Sequence, residues 1–157
     1  MGRQQIKDVP NKVKSARKLE TRVQFAALCY RRRKSGLEVL LLTSRDTGRW
    51  IIPKGWPING RSPAETAAQE AWEEGGVKGK MRDVCLGLYS YEKSFERGND
   101  LPVAVAVFPI EVARLSDRYP EAGARKRRWF TPKKAAARVK ETGLKQIIRS
   151  FDPARLR

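Results

Sequence analysis

Ser62-Pro63-Ala64-Glu65-Thr66-Ala67-Ala68-Gln69-Glu70-Ala71-Trp72-Glu73-Glu74-Gly75-Gly76-Val77 is the stretch on which the reading of this chain turns. Ser62 has the character of an N-cap, Pro63 suits the first helical position, and Glu65 three residues on completes a capping box. Gly75 and Gly76 end the helix. Glu70, Glu73 and Glu74 then fall in its last turns at i, i+3 and i+4, so their carboxylates crowd one face at the negative end of the helix dipole. Each like-charge pair at that spacing destabilises by roughly 0.2–0.5 kcal/mol, and the dipole adds a comparable penalty. Lys78 alone lies close enough along the helix to neutralise one of the three. Ala64, Ala67, Ala68 and Ala71 form a small apolar face suited to close packing on a sheet, which turns the acids outward. A local rule broken inside an otherwise consistent element marks a functional site. Oxygen-only ligands suit a hard cation such as Mg²⁺ or Mn²⁺, which keeps waters and bridges to substrate phosphates.

Composition narrows the chemistry. The 157 residues carry 34 Lys and Arg against 17 Asp and Glu, a net charge of +17, which points to nucleic acid or to a small polyanion as partner. There is no histidine, so any mechanism with a histidine base, nucleophile or ligand is excluded and acid–base work falls to carboxylates and lysine. With 40% hydrophobic residues the chain can bury a single core, and no apolar run approaches the ~20 residues of a membrane helix. No signal peptide is visible, so a soluble, cytoplasmic protein is expected. Cys29 and Cys85, both in apolar strand-like surroundings, read as buried free thiols.

Basic residues are concentrated in a stretch over residues 1–21, read as a partly ordered arm ahead of one domain over residues 22–157. Others cluster at Arg31–Lys34, Arg45 with Arg49, Lys93 with Arg97, and Arg125–Arg128. Strands are expected near Val23–Tyr30, Glu38–Thr43, Trp50–Ile52, Leu86–Tyr91, Leu101–Phe108 and Arg127–Phe130. Val103, Val105 and Val107 alternate with Ala104 and Ala106, so that strand has two apolar faces and belongs in the sheet centre. Helical patterns follow at Pro132–Val139 and Thr142–Phe151. Strands flanked by helices on two sides make an α/β sandwich.

Ahead of the acidic helix, Trp50-Ile51-Ile52-Pro53-Lys54-Gly55-Trp56-Pro57 is an apolar strand end running into a glycine loop. The two segments together resemble the Nudix box, G-x5-E-x7-R-E-U-x-E-E-x-G-U with U aliphatic: Gly55, Glu70, Ala71, Glu73, Glu74, Gly76 and Val77 fall in register. Arg61 stands where that pattern has its first glutamate and Gln69 where it has arginine. In the family those two residues support the loop, so the departure touches loop rigidity more than metal binding. Ala26–Arg31, Val39–Leu42 with Ser44-Arg45, Arg49–Pro53 and Arg128–Phe130 are similar to the branch that contains the diphosphoinositol polyphosphate phosphohydrolases.

The resemblance implies a Nudix-type α/β/α sandwich with a mixed sheet. It implies Mg²⁺, or Mn²⁺, held by Glu70, Glu73, Glu74 and the carbonyl of Gly55. By position it puts forward Arg22, Ser44, Arg45, Arg49 and Arg128 as substrate contacts, with Lys54 able to touch the leaving or bridging phosphate. The general base is open among Glu70, Glu74 and Glu121, the last in a loop able to fold over the site. Three functions compete. One is hydrolysis of diphosphoinositol or dinucleoside polyphosphates, and another is RNA 5′-end pyrophosphohydrolysis, which the basic arm favours. The third is a non-catalytic basic binding module, against which the intact glutamates argue.

Overall fold

Apolar residues at both parities of Ala26–Tyr30 require cover on both faces of that strand, and the fold supplies it. The computed structural model describes residues 22–95 and 98–156; the basic arm over residues 1–21 and Arg97 lie outside them. In chain order the elements are β1 (Val23–Arg33), β2 (Gly36–Thr43), β3 (Trp50–Ile51), β4 (Lys54–Gly55), α1 (Pro63–Gly75), β5 (Val77–Met81), β6 (Gly87–Phe95), β7 (Asn99–Leu115), β8 (Arg127–Phe130), α2 (Pro132–Arg138) and α3 (Thr142–Ser150). A short 3₁₀ turn at Pro153–Arg155 follows.

The central sheet order is β3-β2-β1-β7-β5, with β4 paired to β1, β6 to β7 and β8 to β2. One pairing is parallel, β1 on β7 from Val23 opposite Ala104 to Tyr30 opposite Glu111, and the others are antiparallel. Ala26, Leu28 and Tyr30 of β1 pack with Ala135 and Ala136 of α2 and Leu144, Ile147 and Ile148 of α3. Ala27 and Cys29 pack the other way, with Leu40 and Leu42, against Ala64, Ala67 and Ala71 of α1. The result is the α/β/α sandwich with a mixed sheet, and β7 is central, flanked by β1 on one side and by β5 and β6 on the other.

Two strands were not legible in advance. β5 carries Val77-Lys78-Gly79-Lys80-Met81, with no alternation of apolar and polar residues; it is held by backbone pairing to β7, with a bulge between Lys78 and Gly79. β4 is only two residues long and pairs Lys54 and Gly55 with Ala26 and Phe25. β6 and β7 also extend past their apolar cores to Phe95 and Asn99, forming a hairpin that projects beyond the start of β1. Cys29 is buried, as expected, and burial pushes its thiol well up; Cys85 is exposed, against expectation, because it precedes β6 in an irregular segment. Among the described residues no helix is long and apolar enough to cross a membrane.

Candidate functional site

The capping box forms as the sequence requires: Glu65 N–H donates to Ser62 Oγ at 3.1 Å and Ser62 N–H donates to Glu65 Oε1 at 2.8 Å. At the other end Gly76 takes φ 66°, and its N–H reaches the Ala71 and Trp72 carbonyls. A side chain at Gly76 would strike the Tyr119 ring at 2.6 Å and the Ser116 carbonyl at 2.7 Å, so the helix end is closed by the segment leaving β7. Arg127 completes that closure, donating from Nη1 to the Gly75 carbonyl at 2.9 Å and the Ser116 carbonyl at 2.7 Å. A cation on those carbonyls also offsets the helix dipole.

The acids do not simply face outward. Glu74 is only 6% exposed. Its carboxyl hydrogen-bonds that of Glu70, and its pKa is pushed up to about 8, chiefly by burial, with Arg125 and Lys54 opposing and Glu70 adding to the rise. Glu70 is raised as well, by burial first and by the charges of Glu73 and Glu121. The neutralising cation is not Lys78, whose Nζ lies 4.9 Å from the centre of the Trp72 ring. It is Arg125, from the segment between β7 and β8, with Nη2 3.9 Å from Glu74 Oε1 and Nε 3.2 Å from Glu121 Oε1. Glu121 in turn lies 3.9 Å from Arg45 Nη1, and its backbone N–H donates to the Glu73 carbonyl at 3.0 Å. The loop carrying Glu121 therefore sits directly on the end of α1. Glu73 turns aside, its Oε2 accepting from Gln69 Nε2 at 2.7 Å, so Gln69 binds along the helix rather than toward Arg61.

Beside these acids opens a cavity of about 530 Å³. Ser44, Arg45, Arg49 and Lys54 line it, as do Glu74 and Arg125. Ser44 serves mainly to shape its loop: Oγ accepts from the Arg49 N–H at 3.2 Å and pairs with Thr47 Oγ1 at 2.8 Å. Lys54 Nζ lies 5.1 Å from the centre of the Tyr91 ring, and its pKa is brought down to about 8, by burial first. Arg49 is held by Glu141, Nη2 to Oε2 at 2.9 Å, while Arg49 Nη1 is buried without a partner among the described residues. Glu141 occupies the N-cap position of α3 without capping it, its side chain being spent on Arg49.

Gln24, Tyr91 and Lys93 also line the cavity, and Tyr91 Oη donates to Gln24 Oε1 at 2.6 Å. None of these three, nor Arg125 or Glu141, was put forward from the sequence. Two proposed contacts lie elsewhere. Arg128 is exposed on β8 and stacks on Phe130 at 5.8 Å, and Arg22 sits over the Phe95 ring at 5.2 Å; neither lines the cavity.

The donor set fits a hard divalent cation. Two carboxyls are brought together under burial, which is the main cause of their raised pKa values, and the Arg125 guanidinium that opposes the rise stands 3.9 Å from Glu74. Gly55 leaves room for this: a Cβ there would clash with the Glu70 carboxyl carbon and stand 2.6 and 2.7 Å from its oxygens. Among the described residues no three acids converge on one point as they stand, because Glu73 is engaged by Gln69.

Compared with known proteins, residues 20–151 match the NUDIX domain model. This chain belongs to the Nudix family. Among Nudix relatives, mouse diphosphoinositol polyphosphate phosphohydrolase 3-alpha is 31% identical over 127 residues, covering 80% of this chain and 73% of that protein. Mitochondrial Nudix hydrolase 12 of Arabidopsis thaliana is 30% identical over 118 residues, covering 73% of this chain but only 58% of its own length. In structure, a NUDIX hydrolase from Nitrosomonas europaea superposes with a TM-score of 0.62 at 20% identity, over 86% of this chain and 90% of that one. The C. elegans Ap4A hydrolase superposes with a TM-score of 0.58 at 17% identity, over 81% and 92%. The Nudix fold thus extends across both faces of the sheet described above.

Proposed function

We propose that the protein is a Mg²⁺-dependent hydrolase that cleaves a phosphoanhydride bond in a polyphosphorylated small molecule, of the diphosphoinositol or dinucleoside polyphosphate class. The observation that carries this is the cavity, where Arg45, Arg49, Lys54, Lys93 and Arg125 converge on one side of Glu74 at the end of α1. Five cations there meet Asp46 and Glu74 in the lining and Glu121 and Glu141 behind it, and with the Glu74 carboxyl protonated at neutral pH the remaining positive surplus suits several phosphates. The relatives named for diphosphoinositol polyphosphates and Ap4A are consistent with it.

In this reading Glu70, Glu74 and the Gly55 carbonyl hold the metal, with Glu73 joining once it leaves Gln69. When bound, the ion polarises the scissile phosphate and acidifies the attacking water. Arg49 offers its unpartnered Nη1 to a phosphate oxygen, and Glu141 fixes the direction of that offer. Lys54 and Arg125 place positive charge where the bond breaks. Glu121, steadied by Arg125 and Arg45, is the acid best placed to take a proton from water without serving the metal. Ser44 contributes its loop rather than its hydroxyl.

Arg45→Ala or Arg49→Ala is expected to lower kcat/KM by roughly 5–100-fold, the worth of one charge-assisted hydrogen bond. Arg128→Ala, outside the cavity, should stay within twofold. The decisive measurement is Mg²⁺-dependent phosphate release across inositol pyrophosphates, diadenosine polyphosphates, nucleoside triphosphates and triphosphorylated RNA. If residues 1–15 are deleted and only RNA turnover and its salt dependence suffer, the substrate is RNA. Equal losses in all three arginine variants would remove the cavity assignment.

Metal affinity should depend on pH in a defined direction. The Glu74 carboxyl, raised to about 8 in the metal-free fold, is protonated at neutral pH, so binding releases a proton. Affinity for Mg²⁺ should rise about tenfold per pH unit between roughly pH 6 and 8 and level off above. Calorimetric titrations at pH 6, 7, 8 and 9 read this directly. A flat profile would mean that Glu74 is already ionised.

A further inference from the structure

The cavity takes up only part of the positive charge. From Ala122 to Phe151 the chain carries ten basic residues and one acid, Glu141, whose carboxylate is taken by Arg49. Arg125 and Arg127 are engaged at the end of α1, and Lys145 donates from Nζ to the Ala136 carbonyl at 2.9 Å. Lys126, Arg128, Lys133, Lys134, Arg138 and Lys140 are exposed and line no part of the cavity. None of the six forms an ion pair among the described residues. The basic run at the end of β1 differs, with Arg31 paired to Glu38 at 2.8 Å and Arg32 to Glu111 at 3.6 Å.

The unpaired cations are gathered around one ring. Arg128 and Phe130 alternate on β8 and so share a side of it, the side on which Phe130 packs with α2 and α3. The Arg128 guanidinium lies 5.8 Å from the centre of the Phe130 ring, and that of Arg138, from α2, lies 5.5 Å from it. Lys134 stands one turn before Arg138 on the same face of α2. Like charges brought together from two elements, with no acid paired to either, weaken the fold by repulsion. An anion laid across them would relieve it.

The chemistry of that anion follows from what the surface lacks. The exposed large apolar side chains among the described residues are Trp56, Val84 and Leu88, and none belongs to β8, α2 or α3. A protein partner would find no apolar centre to bury there, and a bilayer would receive no inserted side chain. A phosphodiester backbone needs only cations that meet its phosphates. Guanidiniums resting on a ring are fixed donors, which suit phosphates at regular intervals better than fluid headgroups.

We propose that β8 and α2 form a docking surface for a nucleic-acid backbone, read without regard to sequence and separate from the cavity. The proposal goes beyond the hydrolase reading and does not depend on it. An RNA of about 20 nucleotides with a 5′-hydroxyl end, titrated in EDTA by fluorescence anisotropy, offers the cavity neither a terminal phosphate nor a metal. The full chain should bind it with a Kd on the order of micromolar near 100 mM salt, and a scrambled sequence within about threefold. Arg128→Gln, Lys134→Gln and Arg138→Gln together should weaken binding roughly 10–100-fold. They should also lower the slope of log Kd against log salt by about 2, the loss of three phosphate contacts. Lys78→Gln, Lys80→Gln and Arg114→Gln remove the same charge from exposed positions on β5 and β7 and should stay within about threefold. Should the melting curve show that the first set unsettles Phe130, Lys133→Gln with Lys134→Gln and Lys140→Gln leaves the ring covered and should give the same loss.

Equal weakening by the β8–α2 and the β5–β7 sets would overturn the proposal, because net charge alone would then account for binding. So would a parent Kd weaker than about 100 µM, or a loss that follows removal of residues 1–21 and not the β8–α2 substitutions. Binding to phosphatidylserine vesicles that depends on these residues, with RNA binding indifferent to them, would give the surface to a membrane instead. Metal-dependent turnover without RNA binding sinks this proposal alone, and RNA binding without turnover sinks only the hydrolase reading.

Discussion

Glutamine in place of Glu70 or Glu74 is expected to lower kcat by a factor on the order of 10²–10³, the scale on which a principal electrostatic element of a transition state is lost. The same variants should leave the metal-free protein at least as stable as the parent. The two carboxyls are hydrogen-bonded in a buried place, and a glutamine amide keeps a hydrogen bond there without bringing a charge. The sign of the stability change follows from the raised pKa. A carboxyl near 8 in the fold and near 4.5 when unfolded stabilises the fold fully below pH 4.5, and that contribution is lost as pH rises through 8. Glu74→Gln should therefore gain most over the parent at pH 9 in EDTA and little at pH 4. Glu73→Gln, whose carboxylate holds Gln69 in this arrangement, should lose less, about tenfold. Steady-state kinetics with Mg²⁺ and melting curves in EDTA check the set. Turnover of a Glu70→Gln, Glu74→Gln double variant within threefold of the parent would end the metal assignment.

Arg125→Met should remove about 3–5 kcal/mol of stability at pH 9, the range for deleting one partner of a buried ion pair. The side chain is 11% exposed and engages Glu74, Glu121 and, through Nη1 at 3.3 Å, the Thr43 carbonyl. At pH 5, where Glu74 is neutral, the loss should shrink, leaving mainly the Glu121 and Thr43 contacts. Arg125→Lys keeps the charge but not the planar fork that reaches three acceptors, so it should rescue only part. Urea denaturation at the two pH values gives the difference. A loss below about 1 kcal/mol at both would mean that water replaces the guanidinium.

The residues that could be read from the sequence are those whose geometry is local. Capping, the alanine face and the spacing of Glu70, Glu73 and Glu74 follow from 3.6 residues per turn, and all three appear in the fold. Their partners are not local. From the sequence only i+4 is visible, which singled out Lys78, whereas the cation that reaches Glu74 arrives from a segment placed by the β7–β8 connection. Within Arg125-Lys126-Arg127-Arg128, the three arginines have three different tasks. Arg125 enters the site, Arg127 binds the end of α1, and Arg128 faces outward. Only the pairing of β8 with β2 sorts them. Glu141 was missed for a related reason: at the start of a helix it passes for a weak cap, and its contact with Arg49 spans most of the domain. Arg22, put forward by position as a phosphate contact, sits over the Phe95 ring, a contact equally invisible from the sequence.

The parallel pairing of β1 with β7 carries a consequence for how the molecule comes into being. Val23 must wait for Ala104, and α1 lies between them in the chain. During synthesis the acidic helix segment is complete while one edge of β1 is still unpaired, and at 13 residues it is marginal by itself despite its capping signals. Arg125, Glu121 and Arg127 emerge later still, so its acids are made well before their counter-ions. Closing so long a loop is the slow step for a topology of this kind. Until it closes, three ionised glutamates at one helix end weaken the nascent structure rather than hold it, and divalent cation in the medium should speed the refolding of a denatured chain by relieving that repulsion.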